Sequence, residues 1–223
     1  MTERMGNMFH VVNEVKKNRI IVALRGVSPE YIGDTARALY QGGIRMLEIT
    51  FNQSSSSKLE DTCRSIKAAR DAVGDRMLIG AGTVMSCEEV DAAYHAGAAY
   101  MLSPNLDLAV LRRAKELGMG TIPGAMTPTE VAEAYREGAD MVKLFPCDVL
   151  GLGYIKALKA PLSNIPLLAM GGVNKENLKS YLSLVEGVGI GSAICDKRKI
   201  LAGDFQGLSD LARAYTGQRE SIT

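Results

Sequence analysis

Lys143 stands alone in an apolar, strand-like run, Met141-Val142-Lys143-Leu144-Phe145-Pro146. Side chains of a strand alternate between faces, so Met141, Lys143 and Phe145 share one face and Val142 and Leu144 the other. Lysines are almost never fully buried without a partner, and desolvation penalises the charged form. At the ordinary pKa of about 10.4, only about 0.1% of the amine is neutral near pH 7.4, and lowering that pKa by about three units costs roughly 4 kcal/mol. The chemistry that uses such an amine is Schiff-base formation with a carbonyl substrate. The alternative is a lysine at a strand end whose ammonium reaches solvent.

Glu48 mirrors it. In Met46-Leu47-Glu48-Ile49-Thr50 the alternation that turns Leu47 and Ile49 outward turns Glu48 inward. A carboxylate near a low-pKa amine can shuttle the protons that carbinolamine formation, dehydration and enamine protonation require. A structural ion pair with Arg25 or Lys143 is the competing role. Arg25, followed by Gly26, offers a bidentate fork for a carboxylate or phosphate, or a partner for Glu48.

Positioning these side chains together requires a particular set of elements. Strand-length apolar runs recur at 20–24, 45–50, 77–81, 99–103, 120–123, 141–145, 166–170 and 187–191. Segments with helical periodicity lie between them, a last one follows at 208–215, and a short helical segment is expected at about 8–18. Gly43, Gly74, Gly97, Gly118 and Gly138 each fall just before a strand, where a left-handed C-cap ends a helix. Ser28, Ser86 and Thr127 precede Pro or acidic first turns, as N-caps do. Strict β/α alternation over 223 residues predicts an α/β fold, a single-domain (β/α)8 TIM barrel spanning the chain. A doubly wound open sheet is the runner-up, but its dinucleotide form lacks a G-x-G-x-x-G after the first strand.

A barrel gathers polar residues at the C-terminal ends of its strands: Arg25, Glu48, Thr50, Thr83, Ser103-Pro104 and Lys143. Late in the chain, Gly171-Gly172 and Gly191-Ser192 would expose backbone amides after strands seven and eight, where phosphate sites of such barrels arise. Tight turns are the plain alternative. The Ser54–Ser57 run reads as loop and helix entry, His95 as a helix-surface residue, and Lys156 and Lys159 as helix-face lysines.

Whole-chain properties exclude several classes. With 47% apolar and 23% charged residues the composition is that of a folded globular chain. A net charge of +1 without a long basic block removes the electrostatic case for nucleic acid, and Lys197-Arg198-Lys199 reads as a solvated patch. Cys63, Cys87, Cys147 and Cys195 form no C-x-x-C pair, and His10 and His95 have no metal-ligand spacing, so no metal site is expected. With neither a signal-type apolar region nor a membrane span, the expected location is cytoplasmic.

Several motifs occur together and in order: Gly43-Ile44-Arg45-Met46-Leu47-Glu48-Ile49-Thr50, Gly80-Ala81-Gly82-Thr83-Val84, Leu102-Ser103-Pro104, Ile122-Pro123-Gly124 and Val142-Lys143-Leu144-Phe145-Pro146. With them the chain resembles the 2-keto-3-deoxy-6-phosphogluconate/4-hydroxy-2-oxoglutarate (KDPG/KHG) aldolases over about 20–192. The resemblance implies a class I aldolase, typically a homotrimer, that needs no metal or cofactor and releases pyruvate and glyceraldehyde 3-phosphate. It makes Lys143 the Schiff-base lysine and Glu48 the general acid/base. It places Thr83 beside the pyruvate carboxylate, Pro104 and Phe145 in the pocket wall, and Gly171, Gly172 and Ser192 in the phosphate loops, with Gly191 beside them.

One position departs. Members of the best-known type carry arginine four residues after the glutamate, and this chain has Asn52. Arg25 instead resembles the arginine of a second branch that also has asparagine there and includes aldolases for the galactonate epimer. The gluconate compound is the first substrate expected, with activity on 4-hydroxy-2-oxoglutarate beside it, and the galactonate epimer is the alternative. Two further rivals are a phosphosugar isomerase and a non-catalytic sugar-phosphate-binding barrel.

Overall fold

Short runs of β-branched and aliphatic residues, five of them following a glycine that ends the preceding helix, become the strands of a parallel barrel. The computed structural model describes residues 11–219. Strands are β1 (Ile20–Leu24), β2 (Met46–Thr50), β3 (Leu78–Gly82), β4 (Tyr100–Leu102), β5 (Gly120–Ile122), β6 (Gly124–Ala125), β7 (Val142–Leu144), β8 (Leu167–Met170) and β9 (Gly187–Ile190). Their order is β5-β4-β3-β2-β1-β9-β8-β7-β6, with every paired neighbour parallel. The sequence predicts eight strands. The extra one comes from Pro123, which has no N–H to donate and divides the fifth barrel strand into β5 and β6. The halves face different neighbours, β5 pairing with β4 and β6 with β7. Bonds from the amides of Met141 and Lys143 to the carbonyls of Thr121 (3.2 Å) and Pro123 (2.9 Å) complete the (β/α)8 barrel.

The helices are α1 (Val11–Asn18), α2 (Pro29–Gln41), α3 (Lys58–Val73), α4 (Cys87–Ala96), α5 (Leu108–Glu116), α6 (Pro128–Arg136), α7 (Cys147–Lys159), α8 (Leu178–Leu182), α9 (Lys197–Leu201) and α10 (Phe205–Arg219). The segment expected at about 8–18 appears as α1, and 8–10 lie outside the described residues. Gly43, Gly97, Gly118 and Gly138 adopt positive φ, from 70° to 97°, as left-handed helix ends require; Gly74 departs, with φ 58° and ψ −146°, and starts a 3-10 turn, Gly74–Arg76. Thr127 and Glu130 form a full capping box, and the Ser86 hydroxyl accepts the Glu89 amide. Ser28 departs from expectation: its hydroxyl makes no cap bond, and Pro29 at the first helical position starts α2.

Alternation along the strands produces two apolar layers. Outward residues such as Val22, Leu47, Ile79, Val142, Leu144 and Val188 pack under the helices. Inward residues Ile21, Ala23, Met46, Tyr100, Leu102, Ile122, Met141, Leu168 and Met170 fill the barrel, and Val11 and Val15 of α1 join them. Each fully buried aliphatic side chain contributes about 1.5–3 kcal/mol. A β-carbon on Gly187 would collide with Val15, so that glycine admits α1 against the barrel. A strand end that begins this interior also points, at its other end, to the mouth where polar groups collect.

Candidate active site

Lys143 and Glu48 lie on the inner wall of the barrel, 3% and 1% exposed. Lys143 comes from β7 and Glu48 from β2, so only closure of the sheet brings them into one interior. The Lys143 ammonium does not reach solvent, contrary to the strand-end alternative. Its Nζ lies 4.8 Å from the centre of the Phe145 ring. Burial lowers the proton affinity of Lys143; the Glu48 carboxylate opposes that shift, and the Arg25 cation adds to it. Burial likewise raises the Glu48 pKa, opposed by Lys143 and Arg25. Glu48 forms no ion pair within 4.0 Å among the described residues, so neither predicted structural pair exists.

Glu48 Oε2 is also buried without a hydrogen-bond partner among the described residues, as is the Tyr100 hydroxyl. Leaving a buried acceptor unpaired costs about 1–3 kcal/mol, and such atoms concentrate where chemistry uses them. Tyr100 was not singled out by the sequence motifs, although like Lys143 it is buried on the inner face of its strand. The Tyr100 hydroxyl is pushed well above the usual phenol range, first by burial and then by Glu48. In register, Glu48 and Tyr100 flank Gly80 on either side.

Two glycines of β3 make that crowding possible. A β-carbon on Gly80 would enter the Tyr100 ring, and one on Gly82 would overlap the Glu48 carboxyl group. Gly82→Ala is therefore expected to push the Glu48 carboxylate aside. A misplacement of about 1 Å lowers turnover by about 10²-fold, while pyruvate should still be trapped by borohydride on the untouched Lys143. Steady-state kinetics beside intact-mass trapping checks this, and wild-type turnover in the variant would refute it.

The mouth holds the remaining predicted residues. Arg25 is exposed at the end of β1 and forms no ion pair among the described residues, yet its charge acts on both Lys143 and Glu48. Asn52 is exposed just beyond β2; its Oδ1 accepts the Ser54 amide at 3.3 Å. Thr83, after β3, is held at φ 55°, a rare conformation for a β-branched residue. Pro104 and Phe145, after β4 and β7, are half-buried.

Gly171 and Gly172 follow β8 with φ of 108° and 66°, and Gly191 and Ser192 follow β9. None of the Gly171, Gly172 and Ser192 amides donates to a backbone carbonyl among the described residues. These free donors suit an anion. Asp148 at the start of α7 lies against both glycines, its Oδ1 3.1 Å from a β-carbon built on Gly171. Lys197, expected in a solvated patch, extends its Nζ to 3.0 Å from a β-carbon built on Gly26. Its contact across to the β1 loop has no local sequence signal. No group of acidic, histidine and cysteine side chains suited to a metal ion occurs among the described residues, and no described helix is long and apolar enough to cross a membrane.

A (β/α)8 barrel that buries a lysine and a carboxylate in one interior has the parts an aldolase, a carbon–carbon lyase, uses. The family model "KDPG and KHG aldolase" matches residues 11–211, and the chain belongs to that family. It is 37% identical over 205 residues to the 2-dehydro-3-deoxy-6-phosphogalactonate aldolase of Escherichia coli K12, covering 91% of this chain and 96% of that protein. Identity to the 2-dehydro-3-deoxy-phosphogluconate aldolase of Treponema pallidum is 30% over 208 residues, covering 92% and 96%. The solved KDPG aldolase of Legionella pneumophila, with pyruvate captured at low pH as a covalent carbinolamine, superposes with a TM-score of 0.82 at 25% identity, covering 92% and 97%.

Proposed function

We propose that this aldolase cleaves 2-dehydro-3-deoxy-6-phosphogalactonate to pyruvate and glyceraldehyde 3-phosphate through a Schiff base on Lys143. The observation that carries the mechanism is the buried Lys143 amine, shifted toward its neutral, nucleophilic form, in the same barrel interior as Glu48. Capture of pyruvate as a carbinolamine in the Legionella relative supports the covalent route.

The Lys143 amine attacks the C2 ketone to give a carbinolamine, which loses water to become a protonated imine. Glu48, held where its carboxyl can carry a proton, transfers protons through these steps. Deprotonation of the C4 hydroxyl then sends the C3–C4 electron pair into the iminium, releasing the aldehyde and leaving an enamine. Protonation at C3 and hydrolysis release pyruvate and free the amine. Pro104 and Phe145 wall the pocket, and the Gly171-Gly172 and Gly191-Ser192 amides receive the phosphate.

The galactonate reading replaces the gluconate reading expected first. It is supported by the combination of Asn52 with Arg25 and by the higher identity to the galactonate enzyme than to the gluconate enzyme. With no arginine at position 52, Arg25 takes the substrate carboxylate from the β1 side, together with Thr83. Pyruvate release from the two phosphorylated epimers, coupled to lactate dehydrogenase, tests the assignment. A higher kcat/KM for the galactonate compound is expected, and a preference for the gluconate compound would reverse it.

Arg25→Gln gives a second readout. Loss of a charge-assisted bond worth about 1.5–3 kcal/mol raises half-saturating pyruvate by about 10–100-fold. Because the Arg25 cation lowers the Lys143 pKa, its removal raises that pKa. The amine then stays protonated to higher pH, and the pH midpoint of borohydride trapping moves up. Unchanged half-saturation and an unchanged midpoint would remove Arg25 from the site.

A further inference from the structure

Thr83 holds a left-handed backbone, φ 55°, where glycine would be unstrained. Such strain persists only where surrounding structure over-determines it. The other non-glycine residue at positive φ among the described residues, Arg19, precedes β1 at the opposite end of the strands and is fixed by its own guanidinium, which donates to the carbonyls of Glu186 and Leu182. Thr83 has no such self-made anchor, and its support comes from three other side chains.

Gln53 Nε2, one residue beyond Asn52, donates to the Thr83 carbonyl at 2.8 Å and to Glu89 Oε1 at 2.9 Å. Lys58 Nζ, at the start of α3, donates to Gln53 Oε1 at 2.8 Å and pairs with Glu89 Oε1 at 2.7 Å. Glu89 belongs to the first turn of α4 and is 1% exposed. Its Oε2 accepts the Met85 amide at 2.6 Å. The Thr83–Met85 turn is thus bracketed: Gln53 holds its first carbonyl and Glu89 its last amide. Between them the Val84 amide donates to the Leu102 carbonyl at 3.1 Å.

A helix-capping role explains only Glu89, and an α3–α4 tether explains only Lys58 with Glu89. Neither requires a glutamine whose one nitrogen bonds both the acid and the Thr83 carbonyl. We propose that Gln53, Lys58 and Glu89 are positioning residues that fix the Thr83 turn in the geometry receiving the substrate carboxylate. This rests on the reading of Thr83 as part of the carboxylate site. The pair of buried Glu89 with half-buried Lys58 sets the orientation of the Gln53 amide, which sets Thr83.

The experiment measures borohydride trapping on Lys143 in the full chain, with pyruvate and with acetone, a ketone lacking the carboxylate. Gln53→Ala leaves the Lys58–Glu89 pair intact and is exposed, so the fold and the melting temperature hold. Half-saturating pyruvate is expected to rise about fivefold, the loss of one hydrogen bond, with acetone trapping unchanged. Lys58→Met, which takes the cation from the buried Glu89 carboxylate, should weaken pyruvate further. Adding Glu89→Gln, which restores a neutral acceptor for the Met85 amide, should recover part of the loss.

Parent-like pyruvate half-saturation in Gln53→Ala would overturn the proposal, as would an equal fall in acetone trapping, which marks general damage. Thr83→Val separates the underlying assumption. If it binds pyruvate like the parent, Thr83 is not a carboxylate ligand and the positioning role falls with it.

Discussion

Lys143→Met should abolish the pyruvate adduct and lower pyruvate release by about 10⁵-fold, because removing a covalent nucleophile leaves only binding and residual electrostatics. Methionine matches the lysine stem in length and suits the ring of Phe145 and the apolar barrel wall, so the loss is not one of packing. The variant should melt at or above the parent's temperature. Lys143 is a buried amine whose folded pKa lies below its unfolded value near 10.4. Between those two values the unfolded chain binds the extra proton, so the lysine subtracts stability at neutral pH and the deficit shrinks as pH rises toward the unfolded pKa. In the parent, adduct formation should accordingly fall as pH drops through the folded pKa. Intact mass after borohydride reduction, coupled turnover and thermal melts together check the set. Lysine-independent pyruvate release would sink the Schiff-base mechanism and favour an isomerase-type or binding role.

Glu48→Gln should lower kcat by about 10²–10⁴-fold, the usual share of a positioned acid/base. Glutamine keeps the shape that fits beside Gly82 and Tyr100, so the Lys143 adduct should still form, only more slowly. The diagnostic measurement is exchange of the pyruvate methyl protons for deuterium, followed by NMR. Exchange requires the imine to lose and regain a proton at C3, the step assigned to Glu48. In the parent it should be rapid, and in the variant it should fall with kcat. Exchange at the parent rate would show that another group carries that proton, and Tyr100, buried beside Glu48 with its hydroxyl unpaired, would be the first candidate. The Glu48 effect should exceed that of Gly82→Ala, which displaces the carboxylate but leaves it in the barrel.

How much of this was legible in the residues depends on range. The inward direction of Lys143 and Glu48 follows from an alternation that repeats every second residue within one strand, and the structure agrees. The glycine helix ends follow from a backbone preference of single residues, and all five adopt positive φ, although Gly74 departs in ψ. The mouth residues followed from the barrel rule, which turns strand order into shared position. Less visible was the split at Pro123. Its missing N–H could be read from sequence, but the different partners of its two sides could not. Ser28 looked like a cap, yet whether a hydroxyl turns to its helix depends on its surroundings.

The sequence by itself determined the alternating β/α order, the faces of the strands, the family motifs and the conflict of a charged amine in an apolar run. These are properties of neighbours along the chain, set by local sterics, periodicity and desolvation. Only the tertiary structure decided that Glu48 and Lys143 share the interior without an ion pair, that Tyr100 and two glycines crowd Glu48, and that Gln53, Lys58 and Glu89 converge on Thr83. The first depends on barrel closure, which brings β7 round to β2; the other two depend on which strands pair, since β2, β3 and β4 are neighbours and bring their side chains and following loops together. Distances of a few ångströms between groups far apart in sequence then set both the proton affinities and the geometry of the site.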